Sequence, residues 1–268
     1  MLKSSQPIGI FDSGVGGLTV LKELRRILPE EDLIYLGDTA RVPYGTRSPK
    51  TVIRYSERNA EFLVKMGIKL LVVACNTSSS VSLEVLRSKN AIPVIGVIEP
   101  GAKKALELTK NGIIGVIGTE ATIRSQAYQE TIKRLAQGQK VQVIGQACPL
   151  FVPLVEEGWI DDPITKEVTR RYLSPLLEKG IDVLVLGCTH YPLLEKVIME
   201  VVGPSVTLIN SAKETAEEVK KVLEALNLKR ERGIGKTTFY VTDNPEKFRH
   251  LGELFLGERP EEVEEIDL

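Results

Sequence analysis

Short runs of four to six aliphatic residues alternate along the chain with segments of helical periodicity. The run Ile8–Phe11, for example, precedes leucines spaced three or four positions apart between Leu18 and Leu28. Aliphatic runs bounded by turn residues are typical of the buried central strands of a parallel sheet. The alternation therefore predicts an α/β fold with doubly wound parallel sheets.

The order of strands, turns and helices begins again near residue 101. Asp12 and Thr119 end corresponding strands and lie 107 positions apart, while Cys75 and Cys188 lie 113 positions apart. Nearly equal offsets predict two pseudosymmetric units of about 110 residues. We expect the two units to face each other across a cleft.

Two of the aliphatic runs end in a cysteine that polar residues follow. Residues 70–77 read LLVVACNT and residues 183–190 read VLVLGCTH, so each cysteine is predicted on the last residue of a strand. Ligands in open α/β sheets bind beyond the carboxyl ends of the strands. Cysteine is also common as a small buried hydrophobe, but the matched amide, hydroxyl and imidazole neighbours favour a functional role for both thiols.

Composition narrows the range of functions. The 268 residues are 43% hydrophobic, which is enough for two domains with real cores. Because 35 basic residues balance 36 acidic ones and no basic run carries interleaved aromatics, we expect no nucleic-acid partner.

The amino end has no apolar signal core, and no apolar run approaches the roughly 20 residues of a membrane span. We expect a cytoplasmic protein with three free thiols, of which Cys148 is a packed residue.

Two facing thiols are compatible with three classes of function. In a two-base enzyme, one thiolate removes a proton from a carbon and the other thiol delivers one to the opposite face, which inverts a stereocentre. In a metal site, Cys75, Cys188 and His190 would form a Cys₂His zinc set with a fourth position for water. In a binding module, two lobes would close on a small ligand without chemistry.

The two-base hypothesis requires groups that help each thiol, because free cysteine titrates at about 8.5. Asp12 follows the first strand, and His190 lies two residues after Cys188. Glu156 or Glu157 is expected on the same side of the second unit.

Six segments, in the same order and with similar spacing, resemble glutamate racemase, of the aspartate/glutamate racemase superfamily. They extend from residue 8 to the end of the chain. The segments are Asp12–Leu18 (DSGVGGL), Pro43–Gly45, Ala74–Thr77, Gly118–Thr119 with Thr122, Val152–Pro153 with Val155–Glu156, and Gly187–Pro192 (GCTHYP).

The resemblance implies a fold and an activity. It implies two α/β domains, residues 1–100 plus 212–268 and residues 101–211, because the family's chain returns to its first domain. It implies interconversion of L- and D-glutamate without pyridoxal phosphate or any other cofactor and without a metal. It also implies a supply of D-glutamate for bacterial peptidoglycan, and a homodimer.

The resemblance also implies roles for individual residues. Cys75 would act on the D-enantiomer with help from Asp12, and Cys188 on the L-enantiomer with help from His190 and Glu156. Glu156 is chosen over its neighbour because it directly follows the Val-Pro-Leu-Val run. The implied substrate-binding residues are Asp12, Ser13, Pro43, Tyr44, Gly45, Cys75, Asn76, Thr77, Thr119, Thr122, Cys188, Thr189 and His190.

Overall fold

The computed structural model describes residues 2–268, so Met1, with which the first predicted domain begins, lies outside the described residues. The described chain contains two separate sheets, and every strand pairing is parallel. The strands are β1 (Ile8–Asp12), β2 (Leu33–Gly37), β3 (Leu70–Val73), β4 (Val94–Gly96), β5 (Ile113–Gly118), β6 (Gln142–Ala147), β7 (Val183–Gly187), β8 (Thr207–Asn210), β9 (Thr237–Val241) and β10 (Val263–Glu265).

The two sheets repeat one arrangement of strands. The first has the order β10-β9-β2-β1-β3-β4, and the second has the order β6-β5-β7-β8. The order β2-β1-β3-β4 therefore matches β6-β5-β7-β8 strand for strand, and the predicted pair of parallel-sheet α/β domains is confirmed. Because β9 and β10 extend the first sheet, the end of the chain returns to it.

Helices cover both faces of each sheet. The α-helices are α1 (Leu18–Ile27), α2 (Pro49–Lys65), α3 (Asn76–Lys89), α4 (Ile98–Leu108), α5 (Glu120–Arg124), α6 (Ala127–Leu135), α7 (Phe151–Glu156), α8 (Pro163–Leu177), α9 (Glu195–Val202), α10 (Ser211–Ala225) and α11 (Pro245–Leu256). On the first sheet, α2 and α3 pack on one face and α1 and α11 on the other. On the second sheet, α4 and α6 lie on the face opposite α7, α8 and α9. The long helix α10 contacts both α1 and α4, and so joins the two units.

The cysteines do not lie on the last strand residues, and this prediction was wrong. β3 ends at Val73, two residues before Cys75, and β7 ends at Gly187, one residue before Cys188. The backbone leaves the sheet early because Cys75 caps α3, where its sulfur accepts a hydrogen bond from the Ser78 backbone N–H at 3.5 Å.

Two other segments depart from a simple alternation of strands and helices. The helical segment after β5 is divided into α5 and α6, because Gln126 adopts a left-handed backbone conformation with φ of 58°. The acidic segment near the end of the chain forms β10 at the edge of the first sheet. Its side chains Glu264 and Glu265 are exposed while its backbone pairs with β9, and charge on an edge strand discourages pairing with further strands.

A buried ion pair lies at the amino ends of the first sheet's strands. Lys69 donates to Glu31 Oε2 at 2.5 Å, and neither side chain is exposed. Lys69 also donates to the Ser4 carbonyl, and Glu31 Oε1 accepts from the Arg230 backbone N–H at 2.8 Å. The pair thus connects segments far apart in the chain. None of the helices in residues 2–268 is both long and apolar enough to cross a membrane.

Candidate active site

A cavity of about 420 Å³ lies between the carboxyl ends of the two sheets. Both Cys75 and Cys188 line it, and each follows a central strand of one of the two sheets. Asp12 and Thr122 are fully buried behind its wall. The predicted site residues that line the cavity are Ser13, Pro43, Tyr44, Gly45, Cys75, Asn76, Thr77, Thr119, Glu156, Cys188, Thr189 and His190.

Cys75 lies in a buried environment close to the Asp12 carboxyl group. Its thiol is 3.7 Å from Ser13 Oγ, and it caps the amino terminus of α3. Burial, reinforced by the nearby Asp12 carboxylate, raises the pKa of the Cys75 thiol to about 12. Cys75 is therefore a protonated thiol at neutral pH.

Asp12 ends β1 and has one carboxylate oxygen free. Oδ2 accepts a hydrogen bond from the Gly14 backbone N–H at 2.9 Å, while Oδ1 is buried without a partner among the described residues. Burial raises the pKa of the Asp12 carboxyl, against the opposing effects of His190 and of backbone N–H groups.

Cys188, His190 and Glu156 form a chain of contacts. Cys188 Sγ is 3.9 Å from His190 Nδ1, and His190 Nε2 is 3.1 Å from Glu156 Oε1. Burial alone would lower the pKa of His190, but its hydrogen bonds to Cys188 and Glu156 raise it to about 10. Burial raises the pKa of the Glu156 carboxyl, but the hydrogen bond to His190 lowers it more, so the pKa lies below its usual value. The imidazole is thus a cation at neutral pH, held between an acceptor carboxylate and a thiol.

The structure distinguishes Glu156 from Glu157. Glu156 is the last residue of α7 and contacts His190, whereas Glu157 is exposed and borders a surface depression beside α11. Lys247 of α11 approaches Glu156 Oε2 at 3.8 Å, but its side chain is 63% exposed and the pair is a weak one.

Three threonine hydroxyls join the two domains at the cavity. Thr77 Oγ1 is 2.8 Å from Thr119 Oγ1 and 3.2 Å from Thr122 Oγ1, and the latter two are 3.0 Å apart. On the other side, Thr19 of α1 donates to the Thr189 carbonyl at 3.0 Å. These hydrogen bonds connect the carboxyl-end edge of one sheet to that of the other on both sides of the cavity.

Two hydrogen bonds fix the position of the Tyr44 side chain. The Tyr44 hydroxyl donates to Asp38 Oδ2 and accepts from Asn59 Nδ2, so its ring forms a rigid part of the cavity wall. Burial next to Asp38 raises the pKa of the Tyr44 phenol, which keeps its proton. Asp38 was not singled out from the sequence, although it follows β2 as Asp12 ends β1.

Gly16 is a second site residue that the sequence analysis did not single out. A Cβ atom at this position would lie 2.3 Å from Thr189 Oγ1 and 2.5 Å from His190 Nδ1. Real Cβ atoms do not approach other atoms so closely, so only glycine lets the first domain meet the Thr189-His190 turn. The glycine-rich turn after Asp12 was the available signal.

The remaining candidates for chemistry are accounted for. Cys148 is fully buried, and its thiol lies 3.7 Å from the Gln146 carbonyl, as a packed residue would. Within residues 2–268, no group of three or more His, Cys, Asp or Glu side chains is arranged to hold a metal ion. The Cys₂His zinc hypothesis therefore has no support in the geometry.

Comparisons with known proteins agree on one family. The model of the Asp/Glu/Hydantoin racemase family matches residues 8–219. The chain is 55% identical to glutamate racemase of Geobacter metallireducens, over 97% of this chain and 96% of that protein. Its structure is similar to glutamate racemase isoform RacE1 from Bacillus anthracis (TM-score 0.95, 42% identity, 99% of this chain and 98% of that chain). It is also similar to glutamate racemase from Francisella tularensis in complex with D-glutamate (TM-score 0.92, 38% identity, 98% of both chains).

Proposed function

The chain belongs to the Asp/Glu/hydantoin racemase family and, within it, to the glutamate racemases, and we propose that it interconverts L- and D-glutamate by moving the Cα proton between two cysteines. The observation that carries the two-base mechanism is the presence of Cys75 and Cys188 in one cavity, each just beyond a corresponding strand of a repeated sheet. This arrangement supplies an acid and a base from opposite sides.

The two thiols have different neighbours. In the L-to-D direction, Cys188, whose sulfur lies 3.9 Å from His190 Nδ1, is the base that removes the Cα proton of L-glutamate. Cys75, whose pKa of about 12 keeps it protonated, gives its proton to the opposite face of the carbanion. The D-to-L reaction uses the same groups in reverse, with Asp12 assisting Cys75, so that each turnover leaves the protonation states exchanged.

The cavity offers partners for an amino acid. The free Oδ1 of Asp12 suits the substrate ammonium group, and the buried Asn76 Nδ2 has no acceptor among the described residues and suits a carboxylate. No lysine or arginine belongs to the described lining of the cavity, so the carboxylates are held by neutral donors such as the hydroxyls of Ser13, Thr119 and Thr189. Neutral donors leave the His190 cation as the dominant positive charge beside the reacting carbon.

The biological setting is part of the same proposal. Relatives called glutamate racemase occur in several bacteria, and D-glutamate for peptidoglycan is the product we assign to this chain. We also assign it to the cytoplasm, as a cofactor-independent homodimer. Light scattering of the purified protein tests the dimer, because a monomer mass at micromolar concentration would contradict it.

The experiment that tests the activity is incubation with L-glutamate in D₂O. A two-base racemase yields D-glutamate deuterated at Cα without added metal or pyridoxal phosphate. Cys75→Ser and Cys188→Ser should each abolish racemisation, with Cys148→Ser as the matched control that keeps it. Binding of glutamate without Cα exchange would instead support a binding module, and loss of activity on chelation would support a metal enzyme.

A further inference from the structure

Tyr128 connects the loops that carry the two thiols. It lies on α6 of the second domain, is 1% exposed, and donates a hydrogen bond to Asn76 Oδ1 of the first domain at 2.7 Å. Its ring lies against Gly187, where a Cβ atom would be 3.1 Å from Tyr128 Cε2. One side chain therefore contacts the residue after Cys75 and the residue before Cys188.

The hydrogen bond from Tyr128 is made to the oxygen of the Asn76 amide. Because the amide oxygen accepts from the tyrosine, the NH₂ group is the end left for a ligand, and it is buried without an acceptor in the part of the chain that the structure describes. A buried donor without a partner is unfavourable, and native structures contain few of them. A rotated amide would offer its oxygen to a ligand instead, and would repel a carboxylate.

We propose that Tyr128 is a positioning residue for substrate binding: its hydroxyl holds the Asn76 amide with the NH₂ group ready for a glutamate carboxylate. This inference rests on the proposed function and adds to it a residue outside the cavity lining. Burial raises the pKa of the Tyr128 phenol, so the hydroxyl keeps its proton over the working pH range and remains able to donate.

The test is a double-mutant cycle with Tyr128→Phe and Asn76→Ala. Tyr128→Phe keeps the ring against Gly187 and removes only the hydroxyl. The net value of one hydrogen bond, about 0.5–1.5 kcal/mol, corresponds to a rise in KM of about twofold to tenfold for both enantiomers, with a smaller change in kcat. In the Asn76→Ala background the same substitution should change KM less than twofold, because the amide it orients is gone.

Tyr172→Phe is the matched control. Its hydroxyl accepts a hydrogen bond from the Leu150 backbone N–H at 3.3 Å, within the second domain and outside the cavity lining. Removal of this hydroxyl tests the general effect of losing a tyrosine hydrogen bond, and KM should stay unchanged. Thermal unfolding of each variant, followed by circular dichroism, separates lost stability from lost binding.

A measurement on the unmutated protein is independent of how the variants fold. The side-chain NH₂ signals of Asn76 in ¹⁵N NMR, identified by their absence in Asn76→Ala, should shift when glutamate saturates the protein. Equal effects of Tyr128→Phe in both backgrounds, or unshifted Asn76 signals, would overturn the role of Tyr128. Failure of the unmutated protein to racemise glutamate would refute the proposed function itself, and this result is distinct from any effect of the Tyr128 variants.

Discussion

Replacement of Glu156 by glutamine tests the chain of contacts that ends at Cys188. The substitution keeps the size and the position of the side chain but removes the negative charge 3.1 Å from His190 Nε2. Because the Glu156 side chain is 30% exposed, α7 should tolerate the change. Glutamine still offers an oxygen acceptor, so the imidazole can keep its orientation while it loses part of its electrostatic support.

The magnitude follows from the environment of His190. Burial opposes its charge, while Cys188 and Glu156 together raise the pKa of its imidazole from the ordinary 6.5 to about 10. A hydrogen bond to a charged group contributes about 1.5–3 kcal/mol, which equals about one to two pH units. Without the carboxylate, we expect the pKa of His190 to fall by that amount, which leaves the imidazole mostly protonated at neutral pH, so the loss of kcat/KM should be largest on the alkaline side.

The pH profile provides the sharper assay. In the unmutated protein the imidazolium persists until the pH rises through about 10, so the alkaline limb of kcat/KM lies near that pH. In Glu156→Gln the proton is lost at lower pH, and the limb should move about one to two pH units toward neutrality. Racemisation can be followed by polarimetry or by a coupled assay for D-glutamate.

Two internal controls accompany this assay. Glu157→Gln removes an exposed neighbouring carboxylate that does not contact His190, and should leave both the rate and the alkaline limb unchanged. Because L- and D-glutamate have equal free energies, kcat/KM must also fall by the same factor in both directions. An alkaline limb that stays in place in Glu156→Gln, or that moves equally in Glu157→Gln, would refute the role assigned to Glu156.

Two further predictions concern close packing and a buried charge pair. Gly16→Ala would place a methyl group 2.5 Å from His190 Nδ1 and should reduce kcat/KM about 100-fold, since misplacement of a catalytic group by about 1 Å costs that much. The control is Gly101→Ala, which should stay active because the nearest atom to its new methyl group would be 3.5 Å away. Full activity of Gly16→Ala would contradict the close contact with His190. Lys69→Met leaves the buried Glu31 carboxylate without its counter-charge and should lower the free energy of unfolding, measured in urea, by about 3–5 kcal/mol. The double variant with Glu31→Leu should recover most of this loss, because it removes the remaining buried charge.

The fold was predictable because its central strands are buried on both faces. The strands β1, β3 and β7 consist entirely of buried residues, so they read as continuous aliphatic runs that helical periodicity cannot imitate. The strand β10 could not be found in this way. Only three residues long and mostly glutamate, it is held by backbone pairing with β9 and not by side-chain burial.

The lining of the site was easier to anticipate than its internal contacts. Polar residues directly after predicted strands, such as Ser13 and Thr119, line the cavity because parallel strands deliver their carboxyl ends to one edge. Gly16 and Tyr128 contact residues of the other domain that lie more than 50 positions away along the chain. Their significance depends on how the two units pack, which periodicity along one chain does not record.

The two halves of the site share a plan but not an electrostatic environment. The strands before Cys75 and Cys188 correspond in the repeated sheets, which brings the thiols to one cavity. Around them the correspondence ends, because burial and the nearby Asp12 carboxylate raise the pKa of the Cys75 thiol, while Cys188 Sγ lies 3.9 Å from His190 Nδ1. In the two-base mechanism that we propose, one thiol must act as the acid while the other acts as the base. The repeat therefore accounts for the position of the two groups, and we assign their different roles to the departure from symmetry.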